Sequence, residues 1–200
     1  MEPKYCDNHI LVAVKPAGMA TQPDFCEQVR GWIKKEYQKP GNVFCEPVHR
    51  LDKPVGGLVL FARTSKALSR LNGAMRDRLI EKSYIARVEG IIEEDEGRLE
   101  DLLVHGSHRA HVVRSGGKHA ALSYKVLARE KNATTVQIAL ETGRYHQIRV
   151  QFSAIGHPIV GDEKYGAAPG ELALFASALT FNHPVKNTPL TIREKSSFSA

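Results

Sequence analysis

The stretch "HRLDKPVGGLVLFAR", residues 49–63, places one carboxylate, Asp52, between a basic dipeptide and an apolar run. A short continuous run such as GGLVLFA is typical of a β-strand that is covered on both faces. Asp52 is therefore either a paired group at the end of a strand or an active-site carboxylate, with Arg50 reaching toward an anionic substrate. Other segments of the chain have to decide between these interpretations.

Length and composition narrow the class of protein. Two hundred residues, of which 42% are hydrophobic, fit one domain with its own core. No apolar run approaches the ~18 residues of a membrane span, and the N-terminus lacks the apolar segment of a secretory signal. Three widely spaced cysteines suit a reducing compartment rather than a disulfide or zinc scaffold. We expect a single cytoplasmic domain over residues 1–200, without membrane association.

The charge is unevenly distributed. Residues 89–101 hold seven acids and one arginine, which leaves 27 Lys+Arg against 15 Asp+Glu, or +12, over the rest of the chain. A basic body of this kind indicates a polyanionic partner such as RNA. We interpret the acidic segment as a solvated turn.

Hydrophobic periodicity predicts more strands than helices. The strand patterns lie at residues 9–15, 56–64, 82–90, 119–130, 134–143, 171–181 and 187–194. Helical patterns lie at 25–37, after a cap at Thr64 or Ser65, and at 145–155 before Gly156. Several neighbouring strands are joined by short turns. The predicted class is α+β, with a mixed, largely antiparallel central sheet and flanking helices.

No common cofactor signature is present: the chain lacks GxGxxG, GxxxxGK[ST] and HExxH. His105, His108 and His111 are better explained as solvated loop residues than as metal ligands, because their spacing in an extended segment points them in different directions. Asp162, in the separate turn "GDEKYG", is interpreted as fixing that loop rather than as a second catalytic carboxylate. We expect neither metal nor cofactor.

Three segments carry a resemblance to a known family. "HRLDKPVGGLVLF", "KSYIARVEG" and "GRYHQIRVQFSAIGHPIVGDEKYG" resemble, in order, the sequence blocks of the RluA family of RNA pseudouridine synthases, and the likeness runs from about residue 9 to 184. It implies the pseudouridine synthase catalytic fold and an isomerase, active in rRNA or tRNA processing, that converts specific uridines in structured RNA to pseudouridine. It also implies that Asp52 is the catalytic aspartate, Tyr84 an active-site tyrosine and Arg149 the arginine that pairs with Asp52.

These residue types suit that chemistry. A carboxylate can act as nucleophile or base, and Arg149 can keep it ionised. Tyr84 offers a ring to stack on uracil and a hydroxyl for proton transfer. Further substrate contacts are expected from a set of polar residues near these blocks: Arg50, Arg144, His146 and Gln147. The structural alternatives are a salt bridge for Asp52 and Arg149, core packing for Tyr84 and orientation of the helix for His146.

Two departures from the family pattern stand out. Val55-Gly56-Gly57 occupies the place of the usual Thr-Ser-Gly, and we expect no N-terminal S4-type RNA-binding domain. RNA is the expected partner, with no obligatory protein partner. A catalytically silent RNA-binding protein on the same fold is the alternative function, and a carboxylate-dependent nucleoside or glycoside hydrolase is a third.

Overall fold

The computed structural model describes residues 1–196 and 198. In chain order the strands are β1 (Tyr5–Cys6), β2 (Ile10–Lys15), β3 (Glu46–Pro47), β4 (Gly56–Ala62), β5 (Glu81–Glu89), β6 (Glu96–His105), β7 (Ala110–Val113), β8 (Lys118–Glu130), β9 (Ala133–Leu140), β10 (Leu174–Asn182) and β11 (Pro189–Arg193). The α-helices are α1 (Cys26–Glu36), α2 (Ser65–Arg76) and α3 (Gln147–Ala154), and shorter helical turns cover Thr21–Phe25 and Glu163–Tyr165. The predicted α+β class is confirmed.

The chain divides into two compact units. The first comprises Met1–Glu81 and Ala176–Glu194, and the second comprises Lys82–Phe175 with the described residues from Lys195 onward. Within the described residues, no helix has both the length and the apolar composition needed to cross a membrane.

In the first unit the strands follow the order β1-β2-β4-β10, with β3 also paired to β4 and β11 to β10. Strands β2 and β4 run antiparallel, with Val12 opposite Leu60. One face of this pair packs on α2, which contributes the buried Ala67 and Leu71. The Thr64 hydroxyl caps α2 by accepting the Ala67 N–H at 3.1 Å, so Thr64 is the cap of the two candidates.

On the opposite face of β4, Phe61 contacts the helical turn that leads into α1. Phe61 points away from its neighbours Leu60 and Ala62 because successive side chains of a strand alternate. Its ring lies 5.7 Å from that of Phe25, just before α1. Strand β4 is therefore covered on both faces, as its continuous apolar sequence predicted, and all seven of its residues are buried.

In the second unit the order is β5-β9-β8-β6-β7. The predicted hairpin is present: β8 and β9 pair antiparallel around Lys131 and Asn132. Helix α3 places Val150 in a cluster with Leu103 and Ala120 of the sheet.

Strands β6 and β7 were not predicted, and the interpretation of residues 89–101 as one solvated turn was wrong for part of that segment. Glu96–Asp101 belong to β6, where Glu96 lies opposite Lys125. The turn itself is held by Arg129, whose guanidinium donates to the carbonyl oxygens of Ile92 at 2.8 Å and Glu93 at 2.9 Å. The acidic segment thus has a structural role in bringing the chain into β6.

Candidate active site

Asp52 lies in the first unit, in the loop between β3 and β4. Its carbonyl oxygen accepts the Val55 N–H at 3.0 Å, which closes a turn immediately before β4. The Asp52 residue is half-buried and Arg50 is exposed. Within the described part of the chain, Arg50 has no recorded ion pair or hydrogen bond, and its guanidinium is available to an anion.

Thr21 holds this loop from the side through the backbone of Leu51. The Thr21 hydroxyl donates to the Leu51 carbonyl at 3.0 Å and accepts the Leu51 N–H at 3.1 Å. Both residues are buried. The two bonds fix the peptide groups next to Asp52 and so position the backbone from which its carboxylate projects.

Lys15 holds the other side of the loop. Its side chain is fully buried, and Nζ donates to the carbonyl oxygens of Pro16 at 2.9 Å, Met19 at 2.7 Å and Lys53 at 3.2 Å. Burial lowers the pKa of Lys15 from 10.5 to about 8, and the negative charge of Asp52 opposes that shift. Lys15 therefore supplies both a structural tie and a positive charge close to Asp52.

Gly57, the second residue of β4, lies very close to the neighbouring strand β10. Its φ is +125°, and a Cβ at this position would lie 2.4 Å from the carbonyl oxygen of Ala176 in β10. Only glycine fits such a close approach. The sequence Val55-Gly56-Gly57 retains this glycine, and the turn before it is closed by a backbone bond rather than by side-chain hydroxyls.

Tyr84 lies in the second unit, on β5, where it faces Ile138 of β9. The residue is 7% exposed. Tyr84 is the fourth residue of β5 and lies toward the N-terminal end of that strand.

Arg149 is the centre of the second unit's polar cluster. Its Nε donates to Oδ2 of Asp162 and its Nη2 donates to Oδ1, both at 2.7 Å, and both side chains are buried. This is the bidentate geometry in which a guanidinium holds a carboxylate most firmly. The sequence interpretation assigned Asp162 to its loop alone and missed this partner of Arg149.

His146 completes the cluster. Its Nε2 lies 3.1 Å from Nη1 of Arg149, and its Nδ1 lies 2.9 Å from the Tyr165 hydroxyl. Because a guanidinium can only donate, Nε2 is the acceptor, and Nδ1 carries the proton and donates to Tyr165. That hydroxyl oxygen also accepts the Ala110 N–H at 2.8 Å. Burial raises the pKa of Tyr165 to about 12.

Gln147 fixes the loop that precedes α3. Its Oε1 accepts the Thr142 hydroxyl at 2.7 Å and the Arg144 N–H at 3.0 Å, and its Nε2 donates to the Ala121 carbonyl at 3.0 Å. Arg144 is exposed, and its Nε donates to the His119 carbonyl at 2.8 Å. The expected substrate contacts of Arg144, His146 and Gln147 stay predictions, while their observed bonds shape the start of α3.

The predicted site residues thus fall into two groups. Asp52 and Arg50 belong to the first unit, and Tyr84 and the residues around α3 belong to the second. Sequence reasoning missed four supporting residues: Lys15, Thr21, Asp162 and Tyr165. A signal existed for Lys15, since it shares the strand face of Leu11 and Ala13, both fully buried. Within the described residues, no three His, Cys, Asp or Glu side chains group as metal ligands.

Comparison with known proteins identifies the family of this chain. The profile of the RNA pseudouridylate synthase family matches residues 9–154. A relative from Pasteurella multocida (strain Pm70), named dual-specificity RNA pseudouridine synthase RluA, is 38% identical over 90% of this chain and 85% of its own length. The protein of the same name from Haemophilus influenzae is 34% identical over 97% of this chain and 92% of its own.

A solved structure supports the fold independently. Human RNA pseudouridylate synthase domain containing 1 superposes with a TM-score of 0.83 at 24% identity, covering 99% of this chain and 84% of the human one. The predicted pseudouridine synthase fold and the resemblance to RluA are both confirmed. The chain belongs to the RNA pseudouridylate synthase family, isomerases that convert uridine in RNA to pseudouridine.

Proposed function

We propose that this protein isomerises specific uridines in structured rRNA, tRNA or both, and that Asp52 is its catalytic carboxylate. The observation that carries the proposal is the Asp52 loop. The half-buried Asp52 is held through the backbone of its neighbours, beside the exposed Arg50, in a chain of this family. The names of the RluA relatives, which specify dual specificity, support more than one RNA substrate.

The reaction rearranges one nucleotide without net loss of atoms. The N1–C1′ glycosidic bond breaks, the uracil turns, and a C5–C1′ bond forms. The proton on C5 leaves to solvent, and N1 takes up a proton. In this scheme Asp52 acts as nucleophile or base, because a carboxylate fixed in place needs little reorganisation during the reaction.

Two residues of the second unit complete the proposed chemistry. Arg149 pairs with Asp52, because a guanidinium carries five N–H groups and can serve a further partner besides Asp162 and His146. Tyr84 stacks on the uracil and assists proton movement. Arg50, Arg144, His146 and Gln147 contact the RNA. Among them Arg50 occupies the space left by the flipped nucleotide or grips its phosphate.

We further propose that residues 1–200 act as one catalytic domain in the cytoplasm, in rRNA and tRNA processing, without metal, cofactor or obligatory protein partner. The unpaired thiols of Cys6, Cys26 and Cys45 support a reducing compartment. The basic composition outside residues 89–101 supports direct contact with RNA.

The test measures release of tritium to water from unmodified bulk RNA labelled at uracil C5, followed by chromatography of the digested nucleosides. The wild type should release tritium and form pseudouridine. Asp52→Asn should do neither, while it keeps its thermal unfolding temperature and its RNA affinity. Activity retained by Asp52→Asn would refute the role of Asp52.

The same experiment separates the alternatives. Tight, salt-sensitive RNA binding without tritium release from any RNA tested would identify a silent RNA-binding protein. Appearance of free uracil instead of pseudouridine would identify a hydrolase, because a hydrolase breaks the same bond without forming the new one.

A further inference from the structure

Lys82 lies on the same face of β5 as the proposed active-site tyrosine. Residues two apart in a strand point to the same face, so the side chains of Lys82 and Tyr84 leave the sheet together. Lys82 is half-buried. A Cβ placed on Gly143, in the loop that leads to α3, would lie 3.2 Å from Nζ of Lys82. The ammonium therefore rests against the loop that carries Arg144.

The surroundings of this ammonium differ from those of Lys15. Nζ of Lys15 is buried but has three carbonyl acceptors. Burial also lowers the pKa of Lys82, with no charged group contributing. Yet over residues 1–196 and 198 no hydrogen bond or ion pair is recorded for its Nζ. A cation that is partly removed from water without an acceptor is destabilised, and an anionic ligand relieves that cost.

We propose that Nζ of Lys82 binds a phosphate oxygen of the RNA next to the uridine that stacks on Tyr84. This inference rests on the proposed function. Phosphodiester groups are the anions that an RNA substrate brings to the site, and lysine binds phosphate as a compact point charge. Lys82 is thus a substrate-binding residue, which holds the nucleotide backbone while the base is isomerised.

The test compares Lys82→Gln with Lys131→Gln. Lys131 is an exposed lysine of the same unit, in the turn at the opposite end of β5 and β9, roughly 20 Å away by strand length. Both variants remove one positive charge. Affinity for labelled, unmodified bulk tRNA is measured by fluorescence anisotropy between 50 and 200 mM salt, and KM and kcat are measured by tritium release.

For Lys82→Gln we expect about tenfold weaker binding and a salt slope of log K against log [salt] that is shallower by about 0.7–0.9. KM should rise by a similar factor at unchanged kcat, as expected for a contact made equally in ground and transition states. Lys82→Arg should retain the wild-type slope, and Lys131→Gln should change affinity and slope less than Lys82→Gln does.

Equal slopes for Lys82→Gln and Lys131→Gln would overturn the inference, as would a fall in kcat at unchanged KM, which would point to a contact with the base. The binding measurement also stands apart from catalysis. If the wild type releases no tritium from any RNA while Lys82→Gln still flattens the salt slope, the isomerase proposal fails and the phosphate contact holds.

Discussion

The loop around Asp52 and the start of helix α3 hold their functional groups in opposite ways. Asp52 is fixed through backbone bonds that Thr21 and Lys15 make to its neighbours, and its residue stays half-buried. Arg149 is fixed through its own charged group, by a buried bidentate pair with Asp162. Thr21 and Lys15 thus act on peptide groups beside Asp52, whereas Asp162 takes two of the five donors of the guanidinium itself.

This difference predicts where the protein is most easily broken. At α3 the buried carboxylate of Asp162 supplies a bidentate restraint, and its removal takes a charged partner away from the buried Arg149. At the Asp52 loop two side chains, Thr21 and Lys15, share the restraint. Both bond to backbone groups, so the removal of either one separates no bidentate ion pair.

The largest effect is expected at Asp162. Asp162→Asn keeps the shape but removes the charge that faces Arg149, and breaking a buried pair in this way costs about 3–5 kcal/mol of unfolding free energy. Urea unfolding measures it. The control is Glu163→Gln, an exposed neighbour that loses the same charge. A loss below about 1 kcal/mol for Asp162→Asn would mean that groups other than Asp162 compensate the charge of Arg149.

The contrast also explains what could be read from the sequence. Strand β4, helix α2 and the hairpin of β8 and β9 were predicted, because each combines an apolar period with its own turn or cap. Strand β6 was missed because its exposed residues are acidic and obscure the alternation. Its pairing with β8 is a tertiary contact that local pattern does not reveal.

The site was predictable to a similar degree. The blocks that contain Asp52, Tyr84 and Arg149 stand out as sequence, but their supports do not. Asp162 follows Arg149 by 13 residues across a glycine-rich turn, and no helical or strand period relates the two. The Thr21 hydroxyl bonds to the backbone of Leu51, 30 residues away. Because every residue type has the same backbone groups, the sequence does not reveal this partner.

A moderate effect is expected at Thr21. Thr21→Val keeps the volume but leaves the buried N–H and carbonyl of Leu51 without their partner, which costs about 2 kcal/mol. Because the loop then loses one of its two restraints, turnover should also fall by about tenfold or more, as misplaced catalytic groups do. Thr21→Ser, which keeps the hydroxyl, should restore both. Full activity in Thr21→Val would show that Thr21 is not needed to position Asp52.

A pH-dependent effect, small within any one pH unit, concerns Lys15. The folded-state pKa of about 8 lies below the ordinary value of 10.5, so between these values the unfolded chain binds more protons than the folded one. The cost of burying the ammonium is present below pH 8 and is relieved as the pH rises toward 10.5. Stability gained from this group should therefore increase with pH across that window, by at most about 1.4 kcal/mol per pH unit.

Lys15→Met isolates this contribution, because other groups that titrate in the same range change equally in both proteins. The difference in unfolding free energy, wild type minus Lys15→Met, should grow in favour of the wild type between pH 8 and 10. A difference that stays constant would mean that the three carbonyl acceptors offset the loss of hydration. Lys15 would then remain fully charged beside Asp52 at every pH tested, and the Asp52 loop would carry a permanent counter-charge, as α3 does in the pair of Arg149 and Asp162.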